Sequence, residues 1–228
     1  MSDRVLVVTG ALIHLVVLLL PLAWLAGPKG MSLHSPAMWL FCLLMSLFFC
    51  VEASASIRSG LSGQIHARGV RAPWLPYITG CAILLVIWVS LFAVASSSRA
   101  DAWALVPGTL LLLAGVVVRG RAMKDLGRLF LNHVSLTVDH RLMTTGIYRW
   151  VRHPSESGLL LICIGASWFA ASPLAFFLTV MVLMPSTLTR IRLEDHLLAR
   201  RFGEQFETYR RVTPSLAPSL PSHWRFIA

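Results

Sequence analysis

Two short polar segments interrupt a largely apolar chain, and their residue types suit the binding of a zwitterionic ligand. The first polar segment covers residues 140–158 and is centred on Arg152 and His153. The second polar segment covers residues 190–196 and reads R-I-R-L-E-D-H. Arginine and histidine hold carboxylates, whereas glutamate and aspartate accept hydrogen bonds from amino groups and hydroxyls. If the two segments meet, they would bind a ligand that carries both a carboxylate and an amine.

The ionisable residues of these segments lie at the ends of two predicted apolar helices. Charged side chains in or near the membrane interior are energetically costly, so they are usually paired or functional. The cluster comprises Arg149, Arg152, His153, Glu156, Arg190, Arg192, Glu194 and Asp195. For each arginine, the alternative role is an anchor between a helix end and lipid headgroups. For the two adjacent carboxylates, the alternative is a place in the first turn of a tail helix, where the helix dipole favours them.

The elements that must position the two polar segments are the apolar runs between them, at about 157–169 and 174–188. Pro154 lacks a backbone donor and suits the first turn of a helix, so an apolar helix is predicted to start there. A turn at Ser172-Pro173 would fold the runs into a hairpin and bring both polar segments to one side. The alternative is one continuous helix with a kink at the proline, which would separate them.

The rest of the chain is typical of a polytopic membrane protein. Of its residues, 56% are hydrophobic and 13% are charged, far from the composition of a soluble domain. Four further apolar runs approach the roughly 20 residues that a membrane-spanning helix needs. They lie at about 5–26, 36–51, 74–95 and 102–118. The predicted fold class is therefore all-α: a polytopic integral membrane bundle of about six transmembrane helices, with a C-terminal hairpin and an amphipathic tail helix from about residue 190.

The predicted topology follows from the distribution of basic residues. The net charge is +10, which in a soluble protein would suggest nucleic acid, but lysines and arginines in loops beside anionic headgroups explain it better. Six spans put both termini on one side, and only Lys29 and Arg99 fall in the segments on the other side. Both termini are therefore predicted to be cytoplasmic. We assign residues 1–118 to four N-terminal spans and residues 119–228 to cofactor binding and catalysis.

Several common site motifs are missing from the sequence. The four cysteines lie inside apolar runs without a C-x-x-C pair, so neither a disulfide framework nor a metal site is predicted. The sequence has no G-x-G-x-x-G, no P-loop and no H-E-x-x-H. A ligand site must therefore be built by the membrane helices and their loops.

An ordered motif runs through both polar segments. It reads H-R-L-M-T-T-G-I-Y from His140, R-H-P-S from Arg152, and R-I-R-L-E-D from Arg190. This pattern resembles the isoprenylcysteine carboxyl methyltransferases and their phospholipid-methyltransferase relatives. The resemblance implies an integral membrane methyltransferase that uses S-adenosyl-L-methionine. The positions that it implies as cofactor contacts are His140, Leu142, Gly146, Tyr148, Arg152, His153, Pro154, Glu194 and Asp195.

Two positions depart from the pattern of that family. Asp195 replaces a glutamate, which is a mild change. Glu156 stands where the family usually has tyrosine after Pro-Ser, and this leaves the methyl acceptor open among an isoprenylcysteine-like carboxylate, a phospholipid amine and a small thiol. We predict two catalytic residues. Arg152 would orient a carboxylate acceptor, and Glu156 would take the proton of an amine or thiol, unless it is only a dipole-stabilised residue of the helix N-terminus.

Two readings from other classes compete with a methyltransferase. An NADPH-dependent membrane reductase of the sterol type has a similar R-H-x-x-Y-x-G hairpin, but Glu156 replaces its tyrosine and the chain is short for ten spans. A membrane scaffold or transporter subunit is the non-enzyme alternative. The predicted partners are the membrane and a lipophilic small-molecule or lipid-linked substrate from the bilayer, with no nucleic acid and the oligomeric state open.

Overall fold

All regular structure in the described part of the chain is helical, which confirms the all-α fold class. The computed structural model describes residues 35–60, 72, 74–97, 101–127 and 141–218, and within 55–60 only the backbone. The predicted span at 5–26 and the candidate residue His140 lie outside these ranges.

The helices follow one another with short connections in the hairpin region and longer ones before it. In chain order they are α1 (Pro36–Gly60), α2 (Leu75–Ser96), α3 (Ala102–Leu126), α4 (Pro154–Phe169), α5 (Pro173–Leu178), α6 (Met184–Phe202) and α7 (Glu204–Val212). A 3₁₀ turn, Gly146–Arg149, precedes α4. A π-helical turn, Thr179–Leu183, joins α5 to α6 without a break.

Four helical stretches of the described ranges are long and apolar enough to cross a membrane, and the protein is an integral membrane protein. They are Pro36–Ser54, Leu75–Ser96, Ala102–Leu126 and Pro173–Phe202. Large apolar side chains cover their outer faces, among them Tyr77, Leu110 and Val117 at 76%, 63% and 68% exposure. Such a surface suits lipid rather than water. The predicted runs at 36–51, 74–95, 102–118 and 174–188 thus fall, apart from residue 74, in helices that are long and apolar enough to span a membrane.

Helix α4 is the central element of the bundle. It has 16 residues, or about 24 Å at 1.5 Å per residue, and it is apolar and buried on most of its circumference. Glycines let α3 approach it closely: a Cβ at Gly115 would lie 2.7 Å from the Gly158 carbonyl oxygen, and one at Gly165 would lie 2.7 Å from the Leu112 nitrogen. Small residues at a helix crossing are the usual means of tight packing in a membrane.

The hairpin predicted from the sequence is confirmed. Ala170, Ala171 and Ser172 turn the chain between α4 and α5, and Ala171 adopts a φ of 45°. The Ser172 hydroxyl caps α5 by accepting a hydrogen bond from the Ala175 N–H at 3.3 Å. Across the hairpin, Ser167 Oγ lies 3.3 Å from Thr179 Oγ1. The two helices therefore return antiparallel, and the alternative of one kinked helix is wrong.

The sequence indicates that the helix of the run at 102–118 can continue as far as Leu131, and α3 does extend past residue 118. It ends at Leu126, where Gly127 takes a positive φ of 56°. The start of the tail helix differs from the prediction. The amphipathic tail does not begin as a new helix near residue 190, since α6 continues from the membrane span to Phe202. Glu194 and Asp195 therefore lie in the middle of α6, and the first-turn explanation of these carboxylates is wrong. A positive φ of 53° at Gly203 then separates α6 from α7.

Candidate functional site

The hairpin brings the centres of the two polar segments into direct contact. His153 Nε2 lies 2.8 Å from Asp195 Oδ1, and its Nδ1 lies 3.8 Å from Glu194 Oε2. Arg152 Nη2 lies 3.4 Å from Asp195 Oδ2. His153 is 5% exposed. The cation-rich start of α4 and the carboxylates of α6 thus form one cluster of alternating charge.

The carboxylates of α6 favour the charged form of the buried histidine. Burial alone would lower the pKa of His153, because a charged ring loses hydration. The hydrogen bond to Asp195 and the negative charge of Glu194 outweigh that effect and raise the pKa of His153 above its ordinary value. This residue is therefore held as a donor toward the carboxylates over a wider pH range than a free histidine.

The segment after α7 closes over the start of α4. The Arg152 N–H donates to the Pro214 carbonyl at 2.9 Å, and the His153 N–H donates to the Ser215 carbonyl at 3.0 Å. Arg152 Nη1 also donates to the Arg210 carbonyl at 3.2 Å. These contacts were not predicted, because they use backbone oxygens whose position no side-chain pattern reveals.

Two tyrosines connect the 3₁₀ turn to its neighbours. Tyr148 is buried, and its hydroxyl donates to the Ala122 carbonyl of α3 at 3.4 Å. The Tyr209 hydroxyl of α7 donates to the Tyr148 carbonyl at 2.5 Å. Burial raises the pKa of Tyr209 to about 12, so its hydroxyl stays a donor. Gly146 has a φ of 62°, and a Cβ there would collide with the carboxylate of Asp125.

Glu156, in the first turn of α4, pairs with the second polar segment. Its Oε1 lies 3.3 Å from Arg190 Nε. The residue is 6% exposed, and its Oε2 has no hydrogen-bond partner among the residues that the structure describes. Glu156 is in the first turn of its helix, as the dipole explanation requires. That explanation does not account for the buried and unpaired oxygen.

A further ion pair, buried on the arginine side, lies beside this cluster and was not predicted from the sequence. Arg119 of α3 donates to both carboxylate oxygens of Glu52 in α1, at 3.1 Å for the Nη2–Oε2 bond. Its Nη1 donates to the carbonyl oxygen and the Oγ of Ser155, at 2.9 and 3.0 Å. A single arginine and a single glutamate at the ends of apolar runs were the available signal, because such residues in membrane helices are usually paired.

The remaining candidates have different surroundings. Arg149 is exposed and its guanidinium stacks 4.6 Å above the Trp150 ring, while Arg192 is also exposed. Their exposure is what the anchor alternative expects. Pro154 is buried at the first position of α4, as predicted, and Leu142 is half-buried. In the described ranges no group of three or more metal-ligating side chains could hold an ion.

Known proteins resemble this chain in the region of the site. Residues 108–200 match the model of the isoprenylcysteine carboxyl methyltransferase (ICMT) family. The chain is 30% identical over 113 residues to Protein-S-isoprenylcysteine O-methyltransferase B of Arabidopsis thaliana, a match that covers 49% of this chain and 57% of the relative. It is 34% identical over 112 residues to the Protein-S-isoprenylcysteine O-methyltransferase of Schizosaccharomyces pombe, covering 48% of each chain.

The fold is also that of a solved membrane protein. A structure described as the eukaryotic intramembrane Ras methyltransferase ICMT aligns with a TM-score of 0.58 at 21% identity, over 82% of this chain and 69% of that chain. The chain spans about half the length of the curated relatives it matches. Glu52 and the segment 204–216 lie outside the residues that the family model matches. The resemblance to the isoprenylcysteine carboxyl methyltransferase family, predicted from the two polar segments, is therefore confirmed for residues 108–200.

Proposed function

We propose that this protein is an integral membrane methyltransferase that transfers a methyl group from S-adenosyl-L-methionine to a lipophilic acceptor, in the manner of the isoprenylcysteine carboxyl methyltransferases. The observation that supports this most is the contact of Arg152 and His153 with Glu194 and Asp195 across the hairpin. These residues lie inside the region that matches the family model. Residues 119–228 would carry cofactor binding and catalysis, and 1–118 would supply the N-terminal spans.

The cluster fits the polar groups of S-adenosyl-L-methionine. Arg152 Nε is a buried donor without an acceptor among the described residues, which suits the carboxylate of the cofactor. The side chain of Glu194 keeps 38% of its surface exposed and suits the amino group. When bound, the cofactor supplies a methyl group that its sulfonium already makes reactive. The residues that we propose to hold it are His140, Leu142, Gly146, Tyr148, Arg152, His153, Pro154, Glu194 and Asp195.

The protein's own contribution is positioning and the exclusion of water. The segment after α7 holds the backbone of Arg152 and His153, and this fixes the direction of both side chains. We propose that Arg152 orients the reacting groups and that Glu156, buried beside Arg190, exchanges a proton with the acceptor where the acceptor carries one. The exposed apolar side chains of the membrane-spanning helices support a lipophilic acceptor, because they place the site beside the bilayer.

Calorimetric titration with S-adenosylhomocysteine tests the cofactor site. We expect Arg152→Ala and Glu194→Ala each to abolish measurable binding, since each removes a charged partner of the ligand. Glu204→Gln is the matched control, because Glu204 is exposed at the start of α7 and away from the cluster. Parent-like binding by both alanine variants would refute the site. A thermal shift with NADPH but none with S-adenosylhomocysteine would favour the reductase alternative.

The orientation in the membrane is a separate part of the proposal. The basic residues of the loops and tail support a cytoplasmic location for both termini. Protease protection of N-terminal and C-terminal tags in sealed vesicles measures this directly. Cleavage of both tags from the cytoplasmic side is expected, and protection of either tag contradicts the assignment.

A further inference from the structure

Three arginines around the start of α4, one buried and two with little exposed side chain, each have a carboxylate partner from within the protein. The pairs are Arg119 with Glu52, Arg152 with Asp195 at 3.4 Å, and Arg190 with Glu156 at 3.3 Å. Breaking a buried pair is costly, because it leaves an uncompensated charge in a medium of low polarity. Because the Nε of Arg152, without an acceptor among the described residues, is assigned to the carboxylate of the cofactor, a methyl acceptor with a second carboxylate would have to displace one of these internal partners or add a further negative charge beside it.

Glu156, in contrast to the arginines, offers a hydrogen-bond acceptor that suits a donor on the ligand. It is 6% exposed, and while its Oε1 pairs with Arg190, its Oε2 is buried without a partner among the described residues. An unsatisfied buried acceptor is unfavourable, and a ligand that donates a hydrogen bond to it removes that cost.

We propose that the methyl acceptor of this protein is a lipophilic amine and that Glu156 is the residue that selects it. This inference rests on the methyltransferase function proposed above. The amine nitrogen donates a hydrogen bond to Glu156 Oε2, and its lone pair points away from the carboxylate. The nitrogen lone pair then forms the new N–C bond as the S–C bond of the methyl donor breaks, with that electron pair remaining on sulfur. The proton lost by nitrogen passes to Glu156 and then to water.

Two acceptors that differ only in the reacting group separate this proposal from a carboxylate acceptor. S-farnesylcysteamine carries an amine, and 3-(farnesylthio)propionic acid carries a carboxylate at the same place on the same lipid tail. The full chain in lipid nanodiscs is incubated with methyl-labelled S-adenosyl-L-methionine and each acceptor in turn. Methylated amine is stable in base, whereas a methyl ester releases labelled methanol, so the product identifies the acceptor group.

The amine is expected to be methylated at least about tenfold faster than the carboxylate, since loss of a complementary buried polar contact costs that much or more. Glu156→Gln should lower amine turnover by about 10²-fold, with S-adenosylhomocysteine binding within about twofold of the parent. Glu204→Gln, at an exposed position, is the matched control and should leave turnover unchanged.

The outcomes distinguish this inference from the function on which it rests. Preferential methylation of the carboxylate, or of neither acceptor while S-adenosylhomocysteine binds, overturns the amine assignment and leaves the cofactor site standing. Unchanged amine turnover in Glu156→Gln overturns the selecting role of Glu156. Failure of the parent protein to bind S-adenosylhomocysteine overturns the proposed function itself.

Discussion

Replacing Glu52 by glutamine should destabilise the protein through Arg119, although neither residue was predicted to matter. The substitution keeps the size of the side chain and removes its charge. Removing one partner of a buried ion pair typically costs about 3–5 kcal/mol of folding stability, because the other charge stays buried and uncompensated. The side chain of Arg119 is 8% exposed, but it keeps two hydrogen bonds to Ser155. We therefore expect a loss near the lower limit, about 3 kcal/mol.

Thermal unfolding of the protein in detergent, followed by tryptophan fluorescence, measures this loss. For a chain of this size about 3 kcal/mol corresponds to a decrease in Tm of roughly 6–12 °C. A double-mutant cycle of Glu52→Gln and Arg119→Met then isolates the pair, and a coupling of about 2 kcal/mol is expected for charges in direct contact. The double variant should lose less stability than the sum of the losses of the two single variants, because no isolated buried charge remains.

Two results would refute this reasoning. A Tm of the Glu52→Gln variant equal to that of the exposed control Glu204→Gln would mean that Arg119 is not dependent on its partner. Strict additivity in the cycle would mean that the two side chains do not interact in the membrane. Either outcome would contradict the conclusion that the Glu52–Arg119 pair connects α1 to the start of α4.

Three further predictions follow from the contacts of the site. Because the pKa of His153 is raised, its pair with Asp195 stabilises the fold fully below about pH 6.5 and less as the pH rises through the raised value. The loss of Tm caused by Asp195→Asn should therefore be largest at low pH and shrink in alkaline buffer, and a constant difference would contradict it. Tyr209→Phe leaves the Tyr148 carbonyl without its donor and should cost about 1–3 kcal/mol in thermal unfolding, whereas an unchanged Tm would show that this hydrogen bond is dispensable. Gly115→Ala places a Cβ 2.7 Å from the Gly158 oxygen and should cost about 1–3 kcal/mol, measured in the same assay against Gly80→Ala, whose Cβ meets no atom within 4 Å.

The sequence predicted those features that depend on local chemistry. Pro154 fixes the start of α4 because it lacks a backbone donor, and Ser172-Pro173 fixes the turn of the hairpin because serine caps a helix that proline begins. Once both are placed, the contact between Arg152 and Asp195 follows from the lengths of two antiparallel helices. That is why the central cluster of the site was predictable from residue types and spacing alone.

The features that escaped prediction depend on distant parts of the chain. The carbonyls of Pro214 and Ser215 satisfy the backbone of Arg152 and His153 across about 60 residues of sequence, and backbone acceptors leave no pattern in a sequence. The partner of Arg119 lies on α1, and only the packing of α1 against α3 decides which carboxylate reaches it. Continuity of α6 through residue 190 was also missed, because a change from apolar to amphipathic sequence does not by itself end a helix.

Four residues at and just before the start of α4 are held by contacts with other parts of the protein. The segment after α7 holds the backbone of Arg152 and His153, and Asp195 of α6 holds their side chains. Arg119 of α3 holds Ser155, and Arg190 of α6 holds Glu156. Packing against glycines holds the rest of the helix in place. A ligand that takes over one of these partners must therefore change the charge balance of its neighbours as well. In such a network Oε2 of Glu156, an oxygen without a hydrogen-bond partner among the described residues, is the position where a bound donor meets the least competition.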